Sequence, residues 1–342
     1  MTDNHLSQLI RLVAGEKAAD DILGTLQIDR MLLIESAGAV SRGAFAMALN
    51  AILLQDLLNR VPLAAAYVAD RRRQRERIVF DHGALRAVRL GSTGGATSAA
   101  GVDAFSRILE PLGYHVTGTY PLAESHMTGY AFTHREFPET LPQLFISELR
   151  ADAFSETFQP AAQRVFGNSR DALTVAAHAA LAGFADQQRC EMRIAVPALR
   201  EIVAAFGRRH ETPALGDYRA LLAESAEGAW LATEGHCLAH AADRVSDVAM
   251  TACAQRSLGR PMQSAIETSP TGSVRQSAFR ADPVRRTFRA EDGSTVELTV
   301  PGSYYEFISR DTIVGSDGKK RLDLRFNGDG ARDTIRKKTA AG

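Results

Sequence analysis

The chain has 342 residues, 45% of them hydrophobic, enough to fill the core of one large domain or two ordinary ones. Lys plus Arg equals Asp plus Glu at 40 each, so no global field recruits nucleic acid or an anionic membrane, and a small-molecule partner is expected. Three cysteines (Cys190, Cys237, Cys253) with no CxxC pair argue against a disulfide framework and a thiolate zinc site. No apolar run approaches the roughly 20 residues that span a bilayer, and no leader pattern opens the chain, so a soluble cytoplasmic protein is expected.

Residues 4 to 27 place Leu6, Leu9, Ile10, Leu12 and Val13, then Ile22, Leu23 and Leu26, at helical spacing, and 37 to 69 is an Ala/Leu-rich helical stretch. The Arg71-Arg72-Arg73 run that follows lacks interleaved aromatics and reads as a solvated linker rather than a nucleic-acid patch. From Arg77 short β-type runs appear at 78–80, 114–120, 127–133 and 143–147. Between the first two lies a Gly/Ser/Thr connector, 91–98, which lacks phosphate-cradle spacing and reads as a mobile loop over the site. A helix at 102–112 follows it, stopped by Gly113.

A second helical block fills about 151 to 230, with breaks expected at Gly167-Asn168, Val196-Pro197 and Pro213. Strand-like segments then continue to about 326. No internal repeat of 20 to 50 residues stands out. The expected organisation is one interrupted α+β domain over 1–330: a helical part at 1–76, a first β half at 77–150, a helical insertion at 151–228 and a second β half at 229–330. Residues 331–342 read as a flexible tail.

Three segments carry residues of chemical interest. In Phe80-Asp81-His82-Gly83-Ala84-Leu85-Arg86, strand alternation puts His82, Ala84 and Arg86 on one face. The imidazole and guanidinium are then roughly 13 Å apart along the strand, room for a short dianion between a metal and Arg86; the plainer reading is a structural His beside a surface Arg. In 229–240, His236 and His240 are four apart and share a face whether the segment is strand or helix, so spacing does not choose between them. In Tyr304-Tyr305-Glu306-Phe307-Ile308-Ser309-Arg310, a carboxylate among aromatics needs a positive partner, either a metal or Arg310. Two imidazoles and one carboxylate are the ligand set of an open non-heme Fe(II) site.

Taken in order, FDHGALRAV at 80–88, LEPLGYHVTGTY at 109–120, LPQLFISEL at 141–149, AWLATEGHCLAH at 229–240, and RQSAFRAD followed by VPGSYYEFISR up to 310 resemble the family once known as DUF1338, now described as 2-oxoadipate dioxygenase/decarboxylase. The resemblance implies a fold related to the vicinal oxygen chelate enzymes, with βαβββ-like halves forming a curved sheet around a metal and with added helices. It implies Fe(II) held by His82, His240 and Glu306, which selects His240 over His236. It also implies Arg86 gripping the far carboxylate of a 2-oxo acid substrate, and conversion of 2-oxoadipate with O2 to 2-hydroxyglutarate and CO2 by intramolecular hydroxylation, within lysine catabolism. The family commonly has Thr, Asn and Thr where this chain has Ala87, Ala239 and Ala241, which bears on the hydrogen bonds that orient ligands. Two other readings go with the same residues: a chelate-type isomerase, lyase or hydrolase working without O2 activation, and a noncatalytic ligand-binding module.

Overall fold

The computed structural model describes residues 4–91, 100–315 and 317–326; most of the 91–98 connector and all of the 331–342 tail lie outside them. The N-terminal part folds as α1 (His5–Ala14), α2 (Glu16–Thr25), α3 (Arg30–Leu33), α4 (Arg42–Arg60) and α5 (Pro62–Arg73). Asn4 and Ser41 cap α1 and α4 by accepting from backbone amides of the first turn. Pro62, at the first position of α5, separates it from α4, since a proline there lacks only an N–H that would have had no intrahelical partner. The arginine run ends α5 and is matched to Glu76, Asp21 and Asp70, so it is a helix end rather than a linker.

After α6 (Asp103–Leu109), the helical block contains α7 (Phe158–Phe166), α8 (Val175–Gln187), α9 (Met192–Ala205), α10 (Leu215–Glu224) and α11 (Ala226–Glu234), and α12 (Val248–Ser257) follows. Two expectations fail here. Pro197 does not break the chain but sits inside α9: Ala195, Ala198, Leu199 and Ile202 are buried against the helical core, and that burial outweighs one lost backbone bond. The segment 226–234 is helical, capped by Ser225, and α12, capped by Asp247, interrupts what reads as continuous strand. No helix among the described residues is long and apolar enough to cross a membrane.

The main sheet has eight strands: β1 (Phe80–Arg89), β2 (Tyr114–Leu122), β3 (Met127–His134), β4 (Gln143–Arg150), β5 (His240–Arg244), β6 (Glu267–Thr268), β7 (Val274–Ala278) and, after the hairpin β8 (Pro283–Arg289) and β9 (Thr295–Pro301), β10 (Tyr304–Arg310). Their spatial order is β2-β3-β4-β1-β5-β10-β7-β6. Strand β1 pairs parallel with β4, and β5 pairs parallel with β10; β1 and β5 meet antiparallel at the centre. Each half therefore runs strand, helix, two strands and a closing strand that returns beside the first, 80–150 with α6 and 240–310 with α12. A topological repeat is present after all. It escapes a search by period because about 90 mostly helical residues separate the copies and a hairpin is inserted into the second.

One face of the sheet presents Leu85, Ala87, Leu144, Ile146, Ala241, Tyr305 and Phe307 to the N-terminal helices and α8–α9, forming the main core. Leu149, Phe158, Leu221, Leu231, Phe288 and Val300 make a second core that ties α7, α10, α11 and the hairpin to the sheet's end. The other face curls inward, and the residues of interest lie on it.

Candidate metal centre

Register decides which side chains meet. His82 on β1 lies opposite Ala242 on β5, which lies opposite Glu306 on β10; His240 lies between Ala84 and Tyr304. Because the central position is only an alanine, the imidazole and the carboxylate two strands apart can lean toward each other across its methyl. His82 Nε2 stands 3.3 Å from His240 Nε2 and 3.6 Å from Glu306 Oε2, and His240 Nε2 is 3.0 Å from the same oxygen.

The three atoms form the one group of His, Cys, Asp and Glu side chains among the described residues placed to hold a metal ion. Three ligands roughly 2.1 Å from one cation, spread over one face of its coordination sphere, stand about 3.0 to 3.4 Å from one another, so the donor set fits. Burial pulls the His82 pKa down, but Asp81 and Glu306 outweigh it and raise it.

A bulge in the β1–β5 ladder between Phe80 and His82 inserts Asp81, so that Asp81 and His82 both turn inward. His82 Nδ1–H donates to Asp81 Oδ1 at 2.9 Å, which fixes the tautomer and leaves Nε2 as a lone-pair donor. Arg310 forks onto the same carboxylate, and Arg244 donates to its other oxygen at 2.6 Å. Burial alone would raise Asp81, but Arg310, His82 and Arg244 hold it well below the usual carboxylate range. Of the two partners that the sequence offers Glu306, Arg310 is committed to Asp81, while the imidazoles surround Glu306.

Arg86 points inward farther along β1. Its guanidinium lies 4.8 Å over Trp230 and is ion-paired with Glu227, both on α11. Burial lowers its pKa to about 10, with the Tyr304 hydroxyl acting the other way, so it remains a cation at neutral pH. The Tyr304 ring in turn stacks on His240 at 4.8 Å. His236 takes no part in the cluster: with α11 ended by Gly235, at φ +67°, its Nδ1–H donates to the Arg86 carbonyl at 2.8 Å. Ala84, Ala131 and Phe145, with Tyr120 and Phe326, form an apolar wall, and Phe326 meets His82 edge-on at 4.9 Å.

Ala87, Ala239 and Ala241 lie outside the cluster. Ala87 and Ala241 lie in the main core behind the sheet, and Ala239 packs with Trp230 and Cys237. Sequence reasoning passed over Asp81, Arg244, Glu227, Phe145 and Phe326. Only Asp81, adjacent to His82, carried a local signal; the others are brought in from distant segments.

A sequence model of the 2-oxoadipate dioxygenase/decarboxylase family matches residues 51–339. A solved structure of a protein assigned to the glyoxalase superfamily, from Ralstonia eutropha JMP134, is 41% identical over 94% of this chain and 98% of its own, with a TM-score of 0.88. Hydroxyglutarate synthase from Oryza sativa, solved in complex with 2-oxoadipate, is 21% identical over 89% of this chain and 96% of its own, with a TM-score of 0.63. The Pseudomonas putida hydroxyglutarate synthase in complex with 2-oxoadipate is 18% identical over 82% of this chain and 67% of its own, also at 0.63. At such identities the two synthases share the fold. No curated protein matches the chain.

Proposed function

The chain belongs to the 2-oxoadipate dioxygenase/decarboxylase family, and we propose that it is a non-heme Fe(II) enzyme that converts a 2-oxo dicarboxylic acid, 2-oxoadipate first, with O2 to the 2-hydroxy acid one carbon shorter and CO2. For 2-oxoadipate the product is 2-hydroxyglutarate. The observation that carries this reading is the convergence of His82, His240 and Glu306 within 3.6 Å of one another on the inner face, with the Arg86 cation farther along the strand that bears His82.

Bound Fe(II) would supply the redox chemistry that couples O2 to loss of the first carboxylate as CO2, conversion of the keto carbon to a carboxylate with one oxygen atom, and hydroxylation of the carbon next to it with the other. The protein's own part is to bind, orient and exclude water. His82, His240 and Glu306 would hold the metal. Asp81 keeps His82 in the ligating tautomer, and Arg310 and Arg244 keep Asp81 ionised. Arg86 anchors the distal carboxylate by charge-assisted hydrogen bonds, setting the length of acid that reaches the metal. The wall of Ala84, Ala131, Phe145 and Phe326 would accommodate the alkyl chain and keep water from the site.

The test is O2 consumption and CO2 release by Fe(II)-loaded protein given 2-oxoadipate, with 2-oxoglutarate and an aromatic 2-oxo acid alongside. One-to-one coupling is expected, and Arg86→Ala should raise KM while the protein keeps its iron. Turnover of a 2-oxo acid without O2 would instead place the chain among isomerases or lyases, and bound iron with no turnover of any 2-oxo acid would refute the proposal.

A further inference from the structure

Arg86 is already occupied. Its Nε–H donates to the Glu227 carboxylate, and the two side chains are buried together, 5% and 6% exposed as residues. Glu227 stands in the first turn of α11, where the helix N-terminus favours its negative charge. The far end of the site therefore rests as a neutral pair rather than as an open cation. A 2-oxo acid with a distal carboxylate would bring a second anion to the same guanidinium and leave a net negative charge in a buried place, which is costly. An acid with an uncharged end leaves the pair intact.

Glu227 also has somewhere to go. It borders a cavity of about 400 Å³ that is lined as well by Ser125, Phe154, Ser225, Thr233 and Pro301. Rotation into that space would release Arg86 without unfolding α11.

We propose that Glu227 is the specificity-determining residue of this site: a resident carboxylate that a 2-oxo dicarboxylate must displace from Arg86, and that an uncharged-ended 2-oxo acid leaves in place. The inference rests on reading Arg86 as the distal anchor. Glu227 thereby penalises the doubly charged acid relative to a neutral-tailed one of equal length, and neutralising Glu227 reverses the penalty.

The chain's single tryptophan, Trp230, lies under Arg86 and reports on it directly. The experiment is an anaerobic titration of Fe(II)-loaded wild type and Glu227→Gln with 2-oxoadipate and with 2-oxohexanoate, followed by Trp230 fluorescence. Glu227→Gln should bind 2-oxoadipate at least about 10-fold more tightly, with 2-oxohexanoate changed less than about 3-fold, because only the dicarboxylate loses a like-charge neighbour. Glu227→Asp, which keeps the charge but draws it back by one methylene, should move the ratio of the two affinities the same way and less, and serves if Glu227→Gln does not fold. An unchanged ratio, or one that moves against 2-oxoadipate, overturns the proposal and makes the pair structural. Absence of binding by either acid to any of the proteins would refute the anchor reading itself.

Discussion

The two βαβββ halves share strand order and a helix, but they contribute unequally to the centre. His82 and His240 occupy matching places on the first strand of each half. His82 is in register with Gln143 on its closing strand, and His240 with Tyr304. Two residues on, the first half offers Phe145 where the second offers Glu306. The duplicated scaffold thus offers four positions in matching register: three carry His82, His240 and Glu306, whose side chains meet, and the fourth, Phe145, is part of an apolar wall. The asymmetry gives the site an open side. Supporting residues are asymmetric too: His82 is oriented by the adjoining Asp81, whereas His240 is flanked by Ala239 and Ala241 and steadied by the stacked Tyr304. Behind the sheet, the matching pair is Leu85, packed in the main core, and Asp243, which accepts from Tyr67 Oη–H at 2.6 Å and from the Val79 amide at 2.9 Å.

The largest expected effect comes from deleting the carboxylate that only the second half supplies, the proposed ligand Glu306. Glu306→Ala should lower both metal content and turnover by roughly 100-fold or more, since two neutral imidazoles hold a divalent ion poorly. Metal analysis after dialysis, beside the O2 assay, checks this; normal metal-dependent turnover would remove Glu306 from the site. Restoring symmetry is the converse. Phe145→Glu should keep or tighten metal binding yet cut turnover about 100-fold, because a fourth protein ligand closes a position that a catalytic site leaves open. Unfolding with and without metal would show a larger metal-induced rise in Tm than in the wild type.

Asp81→Asn tests whether His82 depends on its adjoining carboxylate. Metal affinity, measured by chelator competition, should fall about 10- to 100-fold, the usual scale for a lost orienting partner of a ligand. An unchanged affinity would mean that Asp81 serves only the two arginines. The smallest effect concerns Asp243. Burial pushes its carboxyl up to about 6, against the hydrogen bonds from Tyr67 and Val79. With the folded pKa above the unfolded one, the folded state binds the proton more tightly, so stability falls as pH rises from about 4 to about 6 and stays reduced above that. Asp243→Asn should remove this slope and stabilise the protein at neutral pH by roughly 3 kcal/mol, an order-of-magnitude figure from the size of the shift. Denaturant unfolding of both proteins at pH 4.5 and pH 7 would show convergence at the lower pH; parallel curves would contradict it.

Sequence by itself determined the components that depend on near neighbours. Alternation on β1 put His82, Ala84 and Arg86 on one face, and the apolar spacing of α1, α2 and α4 marked the N-terminal helices, because side-chain direction follows from local backbone period. The residue types of the cluster were legible for the same reason: an imidazole or a carboxylate in an apolar strand is conspicuous in one dimension. Tertiary structure decided whatever depends on pairing. The bulge that turns Asp81 inward is a mismatch between β1 and β5 and is absent from either strand alone. Arg310 could have met Glu306, and the network with Arg244 gave it to Asp81. Pro197 stayed inside α9 because burial across helices outweighed a local cost, and Glu227 reached Arg86 from 141 residues away. Local propensities fix which face a side chain occupies; only strand register and helix packing, summed over many distant contacts, fix what stands opposite it.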